Sequence, residues 1–381
     1  MKKHKICIIG DGLSGLITAQ ILGQLDLEID LISKPNSKKN LDNRTTAISP
    51  SNYEFILKNL TTKKNNIFFG CKKISLFNEK EKNKFINFMN FENQNKNLIF
   101  ITKNKTFKNI LLSNIKSNKK IKILRYNVDK IDVDQTKVSF KNKKKNYDMI
   151  LLCVGRKNYL VEKILGKRII QENQNEVAFT CTVKHDMNLA VAKQYFLKEG
   201  PMALLPINNR SFSLIWSTSK KYASFQNKQI KDLVYSKLMK ILSKKIKINL
   251  NQINSFPIYF KFNKNFYKKN IFAIGESVYN VHPIAGQGFN LVIRDLRELY
   301  EKIKTNISLG IQIKDSSILR DLYLNRKPEN LLYGLGIDLT QQFFRYNKII
   351  QPFKNTILKD IDKFSFLKKI GLKIADKGIL N

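Results

Sequence analysis

Two glycine-rich stretches of the chain have residue types and spacings that suit a phosphate-bearing ligand. The first, GDGLSG, places Gly10, Gly12 and Gly15 in the GxGxxG spacing, and the second, HPIAGQGFN, covers residues 282–290. Glycine lacks a Cβ and allows positive φ, so backbone N–H groups in such stretches can approach a ligand at a helix N-terminus. The chain has only 16 glycines among 381 residues, so their concentration here makes a bound cofactor one candidate ligand.

The segments around GDGLSG are predicted to form a strand, a turn, a helix and a second strand. KICII (5–9) is a short apolar run, residues 13–24 carry apolar side chains at helical spacing, and EIDLIS (28–33) alternates. In a dinucleotide-binding unit the first glycine forms the tight turn, the second lets the backbone approach a pyrophosphate, and the third allows close helix packing. The sequence therefore predicts a dinucleotide site at this turn.

The ribose position of that site carries a hydroxyl. A carboxylate is usual about 20 residues after the first glycine, at the end of the second strand, but Ser33 lies there. A serine can still hydrogen-bond a ribose hydroxyl, although without the charge. Asp30 or Glu28 would take this role if the strand register differs from the predicted one.

The rest of the chain predicts two interleaved domains. YDMILLCVG, which ends at Gly155, and NIFAIGES (270–277) are continuous apolar runs typical of central parallel strands. Shorter alternating runs predict antiparallel strands, and the spacing of apolar residues after 289 predicts helix. The expected fold is α/β (α+β): a Rossmann-like dinucleotide-binding domain (1–72, 106–167 and 266–330), an interleaved antiparallel β-sheet domain (73–105 and 168–265) and a helical C-terminus (331–381).

The formal net charge of +39 predicts attraction to polyanions. The alternative is codon drift in an AT-rich genome, because Lys, Asn, Ile and Phe are all abundant and basic residues are scattered in runs such as KNKKKN (141–146). No nucleic-acid-binding motif occurs, so specific nucleic-acid binding is not expected. Diffuse attraction to anionic lipid headgroups follows from the charge alone.

The cysteines and the N-terminus indicate a cytoplasmic protein. Cys7, Cys71, Cys153 and Cys181 form no CxxC pair and no zinc spacing, so neither a disulfide framework nor a metal site is expected. The apolar stretch 6–22 is broken by GDG and is followed by no small-residue cleavage site. No apolar run reaches the roughly 18 residues that span a bilayer. We expect a cytoplasmic chain, with contact at the inner face of a membrane as an alternative.

Four motifs, in this order, closely resemble the flavin-dependent aromatic hydroxylases of ubiquinone biosynthesis. They are GDGLSG, DNRTTAIS (42–49), GPMALLPI with FSLIWS (200–217), and IFAIGESVYNVHPIAGQGFNLVIRD (271–295). The resemblance covers nearly the whole chain and implies FAD as the cofactor, in the fold of para-hydroxybenzoate hydroxylase. It implies hydroxylation of a polyprenylated phenol or benzoquinol: reduced FAD and O₂ form a C4a-hydroperoxide, whose distal oxygen the electron-rich ring attacks.

The resemblance also implies the cofactor-binding residues. The Pro-x-x-Gly-x-Gly loop would run along the flavin ring, and Arg44 would lie near the cofactor, the alternative being an ordinary surface arginine. The full predicted set is Gly10, Gly12, Leu13, Ser14, Gly15, Ser33, Arg44, Gly155, Gly275, Glu276, Pro283, Gly286, Gln287, Gly288, Phe289 and Asn290.

Pro283 and His282 are the candidate catalytic residues. His282 is one of only three histidines, and an imidazole can act as a general base near neutral pH. Oxygen transfer in the resembled family needs no such base, so loop packing is the alternative for His282.

Three positions depart from the family's acidic pattern. Besides Ser33, Val154 stands where an aspartate usually precedes the glycine, and Glu276 replaces the usual aspartate. A carboxylate that hydrogen-bonds a ribose contributes about 1.5–3 kcal/mol to the free energy of binding. The loss of the carboxylates at positions 33 and 154 would therefore weaken FAD binding without abolishing it. The electron donor, NAD(P)H or another, is left open.

Three functions remain as alternatives. The first is the hydroxylase of a polyprenylated aromatic, with O₂, an anionic membrane surface and a ubiquinone-biosynthesis protein complex as partners. The second is a non-catalytic flavoprotein or scaffold of such a complex, suggested by the altered acidic positions. The third is a hydroxylase of a soluble aromatic.

Overall fold

The computed structural model describes residues 3–35, 44–61, 65–80, 84–141, 143–155, 159–167, 169–186, 190–242, 246–282, 286–314, 317–344 and 365–378. Pro283 lies outside the described residues. The helices are α1 (Leu13–Leu22), α2 (Pro50–Asn59), α3 (Asn104–Ser117), α4 (Tyr159–Leu165), α5 (Asn227–Ile241), α6 (Gly288–Ser308), α7 (Ser317–Phe344) and α8 (Ser365–Lys377).

The strands lie between residues 4 and 280 and are mostly short. They are β1 (His4–Ile9), β2 (Leu27–Ser33), β3 (Thr45–Ile48), β4 (Phe69–Cys71), β5 (Lys73–Glu79), β6 (Phe85–Glu92), β7 (Ile99–Lys103), β8 (Ile121–Arg125), β9 (Lys130–Asp132), β10 (Lys137–Phe140), β11 (Lys143–Asn146), β12 (Met149–Leu152), β13 (Ile169–His185), β14 (Ala192–Leu197), β15 (Gly200–Asn208), β16 (Ser211–Ser219), β17 (Ile248–Leu250), β18 (Asn254–Asn263), β19 (Tyr267–Lys268), β20 (Ile271–Ala273) and β21 (Tyr279–Asn280).

A mostly parallel sheet carries the predicted dinucleotide-binding turn. Its order among the described strands is β19-β20-β12-β1-β2-β8, and only β19 runs antiparallel to its neighbour. Helix α1 connects β1 to β2, and eight of its ten residues are buried. Because α1 is apolar on nearly all sides, it packs against both the sheet and the neighbouring helices. The predicted strand, turn, helix and strand are confirmed.

A second, larger sheet holds the interleaved segments. Its order is β21-β18-β13-β16-β15-β14-β5-β6, with β17 paired to β13. Its strands pair antiparallel except for β14 and β5. One face packs on α5 around the fully buried Trp216 and Phe179. This mixture of a parallel and an antiparallel sheet confirms the predicted fold class.

Strand β7 joins neither large sheet. It pairs with β3 and β4 in a separate three-stranded sheet, although residues 99–103 belong to the predicted antiparallel domain 73–105. Strands β5 and β6 do join the larger sheet. The predicted domain limits otherwise stay a prediction.

Helices α6 and α7 pack together through buried charges. Asp295 on α6 is 1% exposed and accepts hydrogen bonds from Tyr279 Oη (2.7 Å), Arg326 Nε (2.8 Å) and Asn330 Nδ2 (3.0 Å). Arg326 also contacts Glu329 one turn further along α7. Every buried charge of this cluster therefore has a partner of opposite sign, which is the condition for burying ions at tolerable cost.

None of the helices in the described part of the chain is long and apolar enough to cross a membrane.

A candidate cofactor and substrate cleft

A cleft of about 1460 Å³ lies where the parallel sheet meets the larger sheet. Its walls include the turn after β1, the end of β2, the start of α6 and one face of β13, β16 and β18. Ordinary ligand pockets measure about 300–1,000 Å³, so this cleft has room for a dinucleotide together with a second molecule. It lies beyond the carboxyl ends of the parallel strands, where α/β sheets bind their ligands.

The first glycine loop (residues 10–15) meets the geometric needs of a dinucleotide. Gly10 has φ +115°, and a Cβ on Gly15 would lie 1.8 Å from the Gly10 carbonyl oxygen, so both are required by the fold itself. Gly12 is different. Its φ of −67° suits any residue and its Cβ would meet no atom within 4 Å, yet it lines the cleft. The space beside Gly12 therefore suits the close approach of a ligand at the N-terminus of α1.

The end of β2 is placed in the register that the sequence predicts. Ser33 lines the cleft and is 6% exposed, and Gly10 N donates to the carbonyl of Ile32. The alternative acids have other partners. Asp30 accepts from Tyr147 Oη at 2.8 Å, and Glu28 forms an ion pair with a neighbouring lysine.

Two lysines that sequence reasoning missed also line this end of the cleft. Lys34 directly follows Ser33, and Lys108 lies on α3 one turn after Asn104, which lines the cleft as well. Lysines are so abundant in this chain that no sequence signal separates these two from the rest. Both place positive charge at this end of the cleft.

The second glycine loop (residues 286–290) turns its backbone to the cleft and its polar side chains away. Gly286, Gly288 and Phe289 line the cleft. Gln287 Oε1 instead accepts hydrogen bonds from Tyr333 Oη (2.9 Å) and Asn290 Nδ2 (3.1 Å). Neither Gln287 nor Asn290 is among the cleft-lining residues, so the loop would meet a ligand with its peptide groups.

The remaining predicted cofactor residues surround the first glycine loop. Leu13, Ser14, Gly155 and Glu276 line the cleft, and Gly275 packs against Ser14. At the altered acidic position, the Val154 backbone N–H donates to Ser277 Oγ at 3.2 Å, so Ser277 ties the end of β12 to the turn after β20.

Arg44 lies in the cleft wall and faces an aromatic ring. Its guanidinium carbon is 5.3 Å from the centroid of Phe256, within the range of a cation–π contact. Arg44 directly precedes β3 and is half-buried, so it places a cation against Phe256 of the larger sheet. Its contact with a cofactor stays a prediction.

His282 lies outside the cleft lining. It is 1% exposed, and its Nε2 is 3.0 Å from Glu176 Oε2 on β13. Glu176 is itself 7% exposed and lines a second cavity of about 240 Å³. This contact fits the packing role that the sequence left open for His282.

The larger sheet contributes an uncharged wall. Ala178 and Thr180 on β13, Ile215 on β16, and Phe256 and Ile258 on β18 line the cleft. Thr180 is 6% exposed, and among the described residues its buried hydroxyl has no hydrogen-bond partner. The alternating sequence EVAFTCTVKH indicates a strand with two different faces. Ala178 and Thr180 face the cleft, whereas the residues that alternate with them, such as Phe179, lie in the core behind the sheet.

The chain matches known flavoproteins in sequence. Residues 160–308 match the family model of an FAD binding domain, which confirms FAD as the predicted cofactor. The mitochondrial ubiquinone biosynthesis monooxygenase COQ6 of Dictyostelium discoideum is 25% identical over 285 residues, 62% of this chain and 58% of that protein. The 3-demethoxyubiquinol 3-hydroxylase of Escherichia coli K12 is 24% identical over 188 residues, 48% of this chain and 47% of that protein. The matches thus span about half the length of these relatives.

Solved structures share the fold over the whole chain. The p-nitrophenol 4-monooxygenase PnpA of Pseudomonas putida superposes with a TM-score of 0.79 at 12% identity, covering 100% of both chains. Klebsiella pneumoniae HpxO, solved with FAD and uric acid, gives a TM-score of 0.76 at 13% identity, covering 99% of this chain and 98% of the other. At these identities the likeness establishes the architecture alone.

Proposed function

We propose that this chain, a relative of the FAD-dependent hydroxylases of ubiquinone biosynthesis, is a flavin-dependent monooxygenase acting on the ring of a polyprenylated phenol or benzoquinol. The observation that carries the proposal is a single cleft in which two glycine loops face an uncharged sheet wall. One side of the cleft suits a dinucleotide, and the other suits an apolar aromatic ring.

The residues of the cleft divide into two tasks. The N–H groups at the start of α1 would hold the pyrophosphate, and Arg44, Lys34 and Lys108, which line the same cleft, would balance its charge. The peptide groups of the second glycine loop would contact the flavin ring. Bound FAD supplies the electrons and activates O₂, while the wall of the larger sheet orients the substrate ring and excludes water.

A labelled-oxygen assay tests this function. The FAD-loaded chain is reduced by NADH, by NADPH, or by light with EDTA as the electron donor, in separate assays, and is then mixed with ¹⁸O₂ and a phenol with or without a short prenyl tail. We expect the tailed phenol to gain one ¹⁸O atom as a new hydroxyl group on its ring. Equal turnover of the untailed phenol would favour a soluble substrate, and absence of any labelled product would favour the scaffold.

Replacing Thr180 by Val is expected to lower kcat/KM about tenfold, because its buried hydroxyl in the cleft wall has no partner among the described residues and its loss removes one hydrogen bond to a ring oxygen. FAD affinity should stay unchanged. Thr218→Val is the matched control, since Thr218 is equally buried but lines the smaller cavity. Equal kcat/KM in Thr180→Val and wild type would remove Thr180 from the substrate wall.

We also propose that the chain meets its substrate at an anionic bilayer. Leu332, Leu335, Leu339 and Phe343 on α7 are exposed, and between Leu332 and Phe343 the structure describes no exposed charged side chain on this helix. The net charge of +39 opposes pairing of two copies and favours an anionic lipid surface.

Leu339→Asp is expected to weaken binding to phosphatidylserine-containing vesicles by at least roughly tenfold, because a buried leucine contributes about 1.5–3 kcal/mol. Cosedimentation measures this, with the equally exposed Leu309→Asp as control: Leu339 is 64% exposed and Leu309 66%. Equal vesicle binding of the two variants would contradict the proposal. If Leu339→Asp lowers the Tm in the absence of vesicles, the exposed apolar residues of α7 pack against another segment of the chain. If it changes the oligomeric state, they pack against a second copy.

A further inference from the structure

We propose that helices α7 and α8 hold the second glycine loop in its cofactor-binding shape, with Tyr333 and Asp376 as positioning residues. The C-terminal helices would then be part of the cofactor site although neither Tyr333 nor Asp376 lines the cleft. The inference uses the proposed function only through FAD as the ligand of the loop.

Tyr333 fixes the side chain of Gln287. The tyrosine is 5% exposed, and its hydroxyl donates to Gln287 Oε1 at 2.9 Å. Burial raises the pKa of Tyr333, so the hydroxyl stays protonated and remains a donor. Gln287 stands between the two glycines that line the cleft. Without a fixed side chain at Gln287, the peptide groups on either side could rotate freely, because glycine resists rotation least.

Asn290 connects the loop to the start of α2. Its Nδ2 donates to Gln287 Oε1 (3.1 Å) and to the Ala47 carbonyl (3.1 Å), while its Oδ1 accepts from Ser49 N (3.0 Å) and Asn52 Nδ2 (3.1 Å). Asn290 is 1% exposed. The same side chain thus joins the second glycine loop, β3 and α2.

Asp376, near the end of α8, completes this arrangement from the other side. Its Oδ1 accepts from Ser51 N at 2.8 Å, and its carbonyl accepts from Ser49 Oγ (3.2 Å) and Ser51 Oγ (3.0 Å). Ser49 is the N-cap of α2 but makes no side-chain cap of its own. Asp376 therefore caps α2 from another helix, with its negative charge at the positive end of the dipole.

The path from α8 to the cofactor loop is short and continuous. Asp376 binds Ser49 and Ser51, the Ser49 N–H binds Asn290, and Asn290 binds Gln287. Tyr333 holds the same Gln287 oxygen from α7. Hydrogen bonds from α7 and α8 thus converge on the side-chain oxygen of Gln287, on the side of the loop away from the cleft, so a change in either helix should alter flavin binding.

Tyr333→Phe tests the first arm, because it removes the hydroxyl alone. We expect FAD to bind about fivefold to tenfold more weakly, as for one lost hydrogen bond, with an altered visible spectrum of the bound flavin and an unchanged Tm of the FAD-free protein. Tyr323→Phe on the same helix is the matched control. Its hydroxyl donates to the Lys264 carbonyl at 2.7 Å, far from the loop, so FAD affinity should not change.

Asp376→Ala tests the second arm, because it removes the carboxylate that accepts from Ser51 N at the start of α2 and leaves the carbonyl bonds to Ser49 and Ser51. Lys373→Ala on the same helix is the control. We expect FAD to dissociate severalfold faster from Asp376→Ala and at the wild-type rate from Lys373→Ala. Wild-type FAD affinity and spectrum in both Tyr333→Phe and Asp376→Ala would overturn the proposal. So would a loss of affinity matched by an equal loss in Tyr323→Phe. A wild-type chain that binds no FAD would instead contradict the proposed function.

Discussion

Replacing Gly12 by Asp is expected to abolish measurable FAD binding while leaving the FAD-free fold intact. Gly12 has an ordinary φ of −67° and open space where a Cβ would point, so the protein itself has no need of glycine there. Asp is a preferred N-cap residue, and Gly12 is the N-cap of α1, so the helix should be as stable or more stable. A carboxylate against a pyrophosphate, however, costs several kcal/mol through like-charge repulsion. Fluorescence titration should show at least a hundredfold loss of FAD affinity.

Gly12→Asn separates volume from charge in the same experiment. Asn has nearly the shape of Asp and caps helices equally well, but it is neutral, so FAD affinity should lie between those of Gly12→Asp and wild type. Gly336→Asp is a control for an added carboxylate in open space, because Gly336 also has no neighbour within 4 Å of its Cβ and does not line the cleft. If Gly12→Asp binds FAD like wild type, the pyrophosphate does not lie at the first glycine loop.

Replacing Asp295 by Ala is expected to destabilise the FAD-free protein by about 3–5 kcal/mol, because it removes one of the two buried carboxylates that pair with the Arg326 guanidinium. Asp295 accepts from Arg326, Tyr279 and Asn330, and Asp295 and Arg326 are 1% and 3% exposed. The pKa of Tyr279 is raised by burial and by the nearby carboxylate, so the phenol is a neutral donor in this cluster. Urea unfolding with a fixed m value measures the change.

Glu298→Ala provides the comparison for Asp295. Glu298 lies on the same helix and within 3.9 Å of Arg326, but its side chain is 25% exposed, so water replaces much of the lost contact. We expect a loss of no more than about 1 kcal/mol. If Asp295→Ala also lowers the free energy of unfolding by no more than about 1 kcal/mol, the buried charge cluster contributes little to the packing of α6 on α7.

Local patterns explain why part of the fold was predictable. Apolar periodicity and the spacing of three glycines were enough to predict β1, α1 and β2, together with the position of Ser33 at the cleft. The helix after the second glycine loop follows from its apolar spacing, and the buried residues of α6 match that spacing. These features depend on residues that are close together in the sequence, so a single sequence is enough to predict them.

Long-range contacts account for what sequence reasoning missed. The hydrogen bond between the Gln287 side chain and Tyr333 joins residues 46 positions apart and was not predicted. The partner of His282 is Glu176, 106 residues away, and β7 pairs with β3 rather than with the larger sheet. Which distant residues become partners depends on how the sheets pack together, and no local sequence pattern encodes this. The role of each predicted site residue in catalysis stays a prediction.

The measurement that tests the central claim most directly is the flavin content of the purified chain. The account predicts a yellow protein with the oxidised-flavin visible spectrum, which releases one FAD per chain on heating and rebinds it afterwards, even with Ser33 and Val154 at the altered acidic positions. A folded chain that stays colourless with excess FAD would contradict the account and would leave the cleft to another ligand.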